Sequence, residues 1–307
     1  MDPRFLRVYN SELQYLRERG AEFAKEFPKI AGRLGLDEFE CSDPYVERLL
    51  EGVAFLSARV HHRLDAEFPR FTQHLLELVY PHYLAPLPSM TIVEFQADLT
   101  EGSLSEGYRI PRGTVLRGQL PRGEQTACDY RTAHDVTLWP LRIAAADYFG
   151  RNVAAISLPG QLQKLKAGLR LRLQATAGLN FSDLPLDRLQ IHLRGDEVRA
   201  HRLYEQLFAN ARAILIRPVG DRSWHEVLPA DSISRVGFDE DQALLPYGPQ
   251  SFSGYRLINE YFAFSQRYLF FELTDLANAV KRCAGNELEI IILFDRVDSQ
   301  LENLVDA

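Results

Sequence analysis

The spacing of apolar residues changes sharply near residue 85, and that change limits what the chain can fold into. Up to residue 79, apolar side chains recur every three or four positions; from Met90 they recur every second position. Pro81, Pro86 and Pro88 lie between the two regimes. A period near 3.6 gives a helix one buried face, and a period of two gives a strand one. The expected class is therefore α+β. A helical N-terminal segment (1–87) is followed by an antiparallel β-rich domain (88–185) and a mixed α/β domain (186–307). At 307 residues, two or three domains are the natural division.

In the helical part, Phe5, Tyr9, Leu13, Leu16, Gly20, Phe23 and Phe27 fall on one face, and Pro28 should end or kink that helix. A second helix has a clear start: Asp43 can cap it, Pro44 suits the first helical position, and Glu47 suits the positive end of the dipole. Its apolar stripe is Val46, Leu49, Val53, Leu56, Val60 and Leu64. Pro69 is expected to break it, leaving a third helix to about Val79. Phe5, Tyr9, Leu13, Leu16, Phe23, Val46, Leu49, Val53 and Leu56 are the candidate interface residues, because two long stripes with few long-range anchors suit an arm that completes its core on a partner.

Beyond the prolines, Thr91, Val93, Phe95 and Ala97 alternate with Glu94 and Gln96, as in a strand. Residues 108–116 read as strand, turn, strand. Pro111 and Gly113 form the structural turn, with Gly113 free to take positive φ between antiparallel strands. Further strands are expected near Tyr130, at 136–143 and at 168–175, where Leu169, Leu171 and Leu173 alternate with Arg170, Arg172 and Gln174. The last third mixes types. Strands are expected at 188–193, 212–217, 268–273 and 287–294. A helix capped by Asp196 should run to about Asn210, a short one should lie at 257–261, and a further helix should open at 297–305 and continue past the last residue.

Composition narrows the function. Apolar residues make up 46% and charged residues 25%, which excludes a mostly disordered or collagen-like chain. A net charge of −7 spread evenly along the chain argues against nucleic-acid binding. No apolar run reaches the length of a membrane helix, and the Met1-Asp2-Pro3-Arg4 opening lacks a signal-peptide core. Cys41, Cys128 and Cys283 are odd in number and far apart, which suits reduced thiols in the cytoplasm. Of 35 basic residues 30 are arginine, the cation better suited to interfacial ion pairs.

Phosphate loops, nucleophile elbows, dinucleotide fingerprints and C-x-x-C pairs are absent from the sequence. His61, His62, Asp65 and His74 are the one compact ligand-type set. His61 and His62 point about 100° apart on a helix, so they cannot share a metal without strain. No catalytic residue, metal or cofactor is expected. Asp239-Glu240-Asp241 reads as a solvated acidic loop. Tyr255, Tyr261, Phe262, Phe264, Tyr268, Phe270 and Phe271 crowd into one stretch, either as domain core or as protein–protein anchors.

Several long motifs carry a resemblance. They are the opening MDPRFLRVYNSELQYLRERGAEFAKEFPKIAGRLGL, the run Cys41-Ser42-Asp43-Pro44-Tyr45-Val46-Glu47-Arg48-Leu49-Leu50-Glu51-Gly52, Leu64 to Phe71, and Tyr80-Pro81-His82-Tyr83-Leu84-Ala85-Pro86. The turn Ile110-Pro111-Arg112-Gly113-Thr114, Tyr247-Gly248-Pro249 and the stretch Phe252 to Phe264 complete the set. Together they resemble the TssF family, a baseplate subunit of bacterial type VI secretion systems related to phage baseplate wedge proteins. The resemblance implies a structural wedge subunit with no catalytic residues. It implies self-association, a TssG-like wedge partner, TssK-like and TssE-like baseplate subunits, and a VgrG-like spike around which the wedges assemble, beneath the tube and sheath. It also implies a cytoplasmic protein placed at the inner face of the inner membrane, with no direct membrane span. A hydrolase or glycan-binding β-domain protein with a helical arm is the alternative; a deep pocket with convergent carboxylates or histidines would mark it.

Overall fold

The computed structural model describes residues 2–36, 42–97, 102–120, 123, 125–150, 158–246, 248–249, 251–302 and 305–306. Cys41 and Tyr247, at the ends of two motifs quoted above, lie outside the described residues. The chain forms two compact units, Met1–Ala85 and Pro86–Ala307.

The first unit is helical. α1 (Pro3–Glu26) is capped by the Asp2 carboxylate, which accepts from the Arg4 amide at 2.8 Å. Pro28 opens α2 (Pro28–Leu34), which ends at Gly35 in the left-handed conformation. α3 (Pro44–Val79) starts as its sequence dictates, with Asp43 capping the Tyr45 amide and Pro44 in the first turn. It then runs through Pro69 as one 36-residue helix, so the expected break and the separate third helix do not exist. Proline removes one intrahelical donor, a cost of about 3 kcal/mol, which the flanking turns of this long helix outweigh. α1 packs along α3 in antiparallel sense: Phe5 meets Phe55 edge-on at 5.4 Å, while Arg17 pairs with Glu47 nearer the opposite ends. The seam is narrow, because the α3 side chains fully buried in it are Ala54 and Ala58.

The second unit is built on an antiparallel sheet. Its strands are β5 (Leu141–Phe149), β6 (Ala167–Ala175), β8 (Ala211–Pro218), β9 (Glu226–Pro229) and β12 (Glu287–Phe294), ordered β5-β6-β12-β8-β9. β6 keeps the expected alternation, with Leu169, Leu171 and Leu173 buried between half-exposed Arg170, Arg172 and Gln174. A second sheet orders β10 (Ile233–Arg235), β11 (Phe270–Leu273) and β7 (Leu189–His192). α4 (Glu197–Glu205) continues through a π-helical turn to Asn210, and α5 (Ser253–Ala263) and α6 (Ala277–Arg282) complete the unit. The five-stranded sheet draws strands from both sides of residue 185, so the two segments read from sequence as separate domains share one sheet and one core.

Four short strands make a side lobe. β1 (Tyr108–Ile110) pairs with β4 (Val136–Leu138), and β2 (Val115–Arg117) pairs with β3 (Asp129–Arg131). The turn at Pro111 to Thr114 is present, with the Thr114 amide on the Pro111 carbonyl at 3.3 Å and Gly113 at φ +83°. The strands it joins do not pair with each other, contrary to expectation; each has its partner in the return limb. The strand expected at 136–143 splits at Pro140, which has no donor to give a ladder. Residues 91–97 find no ladder partner among the described residues, and the expected face is only half kept: Phe95 and Ala97 are half-buried, as is Ile92 from the other face, while Thr91 and Val93 are exposed. The described part of 297–305 is turns, not a helix.

His134, between β3 and β4, ties the lobe to the second sheet by standing edge-on to Phe270 at 6.2 Å. Burial, and then the positive charge of Arg267, hold its pKa below the usual 6.5, against a hydrogen bond to Gln190 that acts the other way. The unfolded chain therefore binds a proton that the folded chain refuses. This contribution is present above about pH 6.5 and is lost as the pH falls from there toward the lowered folded value. The urea midpoint should drop between pH 7.5 and 5.5, and His134→Gln should flatten that drop. At the turn, Gly113→Val meets no steric neighbour but keeps a positive φ, so it should cost about 1–3 kcal/mol in the same assay.

Candidate functional site

Two solvent-facing apolar surfaces dominate the molecule. The first runs along α3. Tyr45, Leu49, Val53, Leu56, Val60, Leu64, Phe68, Phe71, Leu75 and Leu78 are all exposed, Leu49 at 69% and Leu78 at 75%. From Tyr45 to Leu78 the steps are four, four, three, four, four, four, three, four and three, so one stripe follows the helix for about 50 Å. It faces away from α1. The α3 face toward α1 is Leu50, Ala54, Ser57 and Ala58, which are partly or fully buried. Of the residues expected at an interface, Leu49, Val53 and Leu56 lie on the outer stripe. Val46 is half-buried, as are Phe5, Tyr9, Leu13 and Leu16 on α1, while Phe23 is exposed and meets Phe27 at 5.2 Å with the rings tilted by 38°. The expected set is thus divided between the intramolecular seam and the open surface. The distal half of the stripe, Phe68 to Leu78, lies around and beyond Pro69, where a helix-breaking residue conceals the continuity of α3 in the sequence.

The histidines of α3 are engaged one by one. His61 meets Glu12 at 3.0 Å, His62 lies 3.8 Å from Asp2, and His74 meets Glu77 at 3.3 Å. Among the described residues, His, Cys, Asp and Glu form no group of three able to hold a metal.

The second surface belongs to α5, which is mounted with its charged face inward. Arg256 and Glu260 are almost completely buried and pair at 3.1 Å. One Glu260 oxygen accepts from the amides of Leu244 and Leu245, both at 2.9 Å; the other accepts from Arg256 and from the Tyr268 hydroxyl at 3.1 Å. Burial and the Glu260 carboxylate push the Tyr268 phenol well up, so it stays protonated and donates. Arg256 also donates to the carbonyl of Phe238 at 3.0 Å, and Arg267 donates to that of Gln242 at 2.6 Å. The opposite face of α5, with Phe252, Tyr255, Ile258, Tyr261 and Phe262, is left in solvent. The crowded aromatics therefore divide: Tyr268 and Phe271 are core, Phe264 and Phe270 are half-buried, and Tyr255, Tyr261 and Phe262 are exposed. The i, i+4 spacing of Arg256 and Glu260 was the available signal for this inversion, but such a pair ordinarily faces water.

A surface cleft of about 320 Å³ is lined by Pro218, Asp221, Trp224, Arg282 and Glu287, among others. Arg282 lies over the Trp224 ring at 4.7 Å. Asp221 accepts from the Ser223 amide and hydroxyl, both at 2.8 Å, which hold its carboxyl below the usual range. The lining carries no histidine or cysteine to serve as base or nucleophile. Cys128 is exposed and Cys283 is buried, with its thiol pushed up by burial.

The family model for "Type VI secretion system, TssF" matches residues 1–307. The chain belongs to the TssF family. It is 56% identical over 308 residues to the type VI secretion system component TssF1 of Pseudomonas aeruginosa, a match covering all of this chain and 50% of that protein. The chain thus spans about half the length of the curated relative it matches. Its fold is similar to a chain in the cryo-electron-microscopy structure of the type VI secretion system TssK-TssF-TssG baseplate subcomplex. There the TM-score is 0.59 at 25% identity, over 82% of this chain and 44% of that one.

The Glu260 node makes a direct prediction. Glu260→Ala leaves the buried Arg256 guanidinium without its counter-charge and the Leu244 and Leu245 amides without their acceptor, which should cost about 3–5 kcal/mol in urea unfolding. A loss within 1 kcal/mol would mean that water replaces the carboxylate.

Proposed function

We propose that this chain acts as a structural wedge subunit of a type VI secretion baseplate, with the outer stripe of α3 as its main assembly surface. The stripe carries the reading. Ten large apolar side chains exposed along one helix far exceed what a monomer ordinarily leaves to water, and their spacing suits insertion between the side chains of another helix. Family membership and the likeness to a TssK-TssF-TssG subcomplex support the same reading. The partners it implies are a second copy of the subunit, a TssG-like wedge protein, TssK-like and TssE-like baseplate subunits and a VgrG-like spike. No described helix is long and apolar enough to cross a membrane, in keeping with assembly at the cytoplasmic face of the inner membrane. No catalytic or cofactor role is assigned.

Co-expression with the TssG-like subunit of the same system, followed by size-exclusion chromatography with light scattering, tests this. The wild-type chain should co-elute. Leu49→Asp combined with Val60→Asp should keep the wild-type melting temperature, because both side chains are exposed, yet weaken co-elution by about 2 kcal/mol or more. Unchanged assembly by the folded double variant would sink the proposal.

A further inference from the structure

The inverted mounting of α5 leaves its apolar face without a partner in the unit's core. Helices of folded proteins turn their apolar face to the core. Here the core side is ionic, held by Glu260 and Arg256, and the apolar side is presented to solvent. Phe262 is 84% exposed, Phe252 69% and Ile258 59%, and Tyr255 and Tyr261 continue the face. At about 200 Å² for a large side chain, the five offer roughly 600 Å² of mostly apolar surface. That reaches the top of the roughly 300–600 Å² range of the largest patch on a typical monomer, and approaches the 800 Å² or so that one partner contributes to a standard interface.

The charge beside the face says what kind of partner fits. Asp239, Glu240 and Asp241 are exposed, and none forms an ion pair among the described residues. Their loop is anchored to α5 through the Arg256 bonds to the Phe238 and Asp239 carbonyls. The Phe238 ring packs on Tyr268 at 4.9 Å, and Tyr268 meets Tyr261 at 6.1 Å, so the acidic loop adjoins the edge of the apolar face. The nearby guanidinium of Arg112 donates to the carbonyls of Asp241 and Ala243, not to the three carboxylates. A second copy of this face cannot supply matching cations, because the charged residues of α5, Arg256 and Glu260, are both buried. An anionic lipid surface would be repelled by the same rim.

We propose that the outward face of α5, flanked by Asp239-Glu240-Asp241, docks a cationic amphipathic helix of a partner protein. The partner's apolar side chains would lie over Ile258 and Phe262 while its lysines or arginines meet the acidic rim. This goes beyond the baseplate reading and does not depend on it, since that reading rests on α3.

The test uses the full chain and two fluorescein-labelled synthetic helical peptides with the same leucine pattern, one with lysine and one with glutamate at the polar positions. Fluorescence anisotropy should show the lysine peptide binding about tenfold or more tighter than the glutamate peptide, with the difference shrinking at high salt. Phe262→Asp should weaken the lysine peptide about tenfold or more, and Ile258→Gln gives a second, milder variant should the first fail to fold. The triple change Asp239→Asn, Glu240→Gln, Asp241→Asn should weaken it several-fold, while Leu64→Asp on α3 should leave it unchanged. Equal binding of the two peptides, or binding indifferent to both α5 variants, would overturn the proposal. So would a self-associating chain made monomeric by Phe262→Asp, or preferential binding to phosphatidylglycerol vesicles.

Discussion

The second unit depends on β12. From Leu288 to Phe294 every side chain is buried, and the strand sits at the centre of the sheet with β6 on one edge and β8 on the other. Its even-numbered residues, Leu288, Ile290, Ile292 and Phe294, enter the main core, while Ile291 and Leu293 enter a smaller cluster on the other face with Leu158 and Leu215. Glu289 is the exception. It lies opposite Arg172 on β6 and Arg217 on β8, and binds Arg217 at 2.7 Å. A slip of one residue would move that carboxylate into the main core, so the ion pair fixes the register that the symmetric run of isoleucines leaves open.

The same principle, a buried charge used for placement, recurs at α5. A well-packed apolar contact would stabilise that helix at least as well as the Arg256–Glu260 pair. What the carboxylate adds is direction. Four donors converge on it from α5, the 244–245 backbone and Tyr268, and only one rotation of α5 satisfies them all. That rotation holds Phe262 and Ile258 in water. The acidic loop is fixed by the same cluster, because the carbonyls of Phe238, Asp239 and Gln242 are its acceptors.

The helical unit follows a different logic. Its seam is made of alanines on α3 and half-buried side chains on α1, so the large apolar residues of α3 are nearly all surplus to the unit's own core. Small residues at a seam allow close approach of the helices but bury little area, and the stripe outside carries most of the apolar surface. A unit that keeps its largest side chains outside is built to complete itself by assembly.

Local chemistry was legible from the sequence wherever neighbours decide the outcome. The cap at Asp43, the end of α1 just before Pro28, the positive φ of Gly113, the alternation of β6 and the full extent of β12 all follow from a few consecutive residues. The apolar stripe of α3 was visible for the same reason, as was its candidacy for an interface. The tertiary structure alone decided which of two faces each helix buries, because periodicity gives an angle and not a partner. It carried α3 through Pro69, where one missing hydrogen bond weighs less than the turns on either side. It withheld a ladder from residues 91–97 and sent β1 and β2 to different partners, because a strand's hydrogen bonds belong to whichever strand lies alongside. It also turned Arg256 and Glu260 inward, since a buried ion pair needs the amides of Leu244 and Leu245, and no reading of α5 alone contains them.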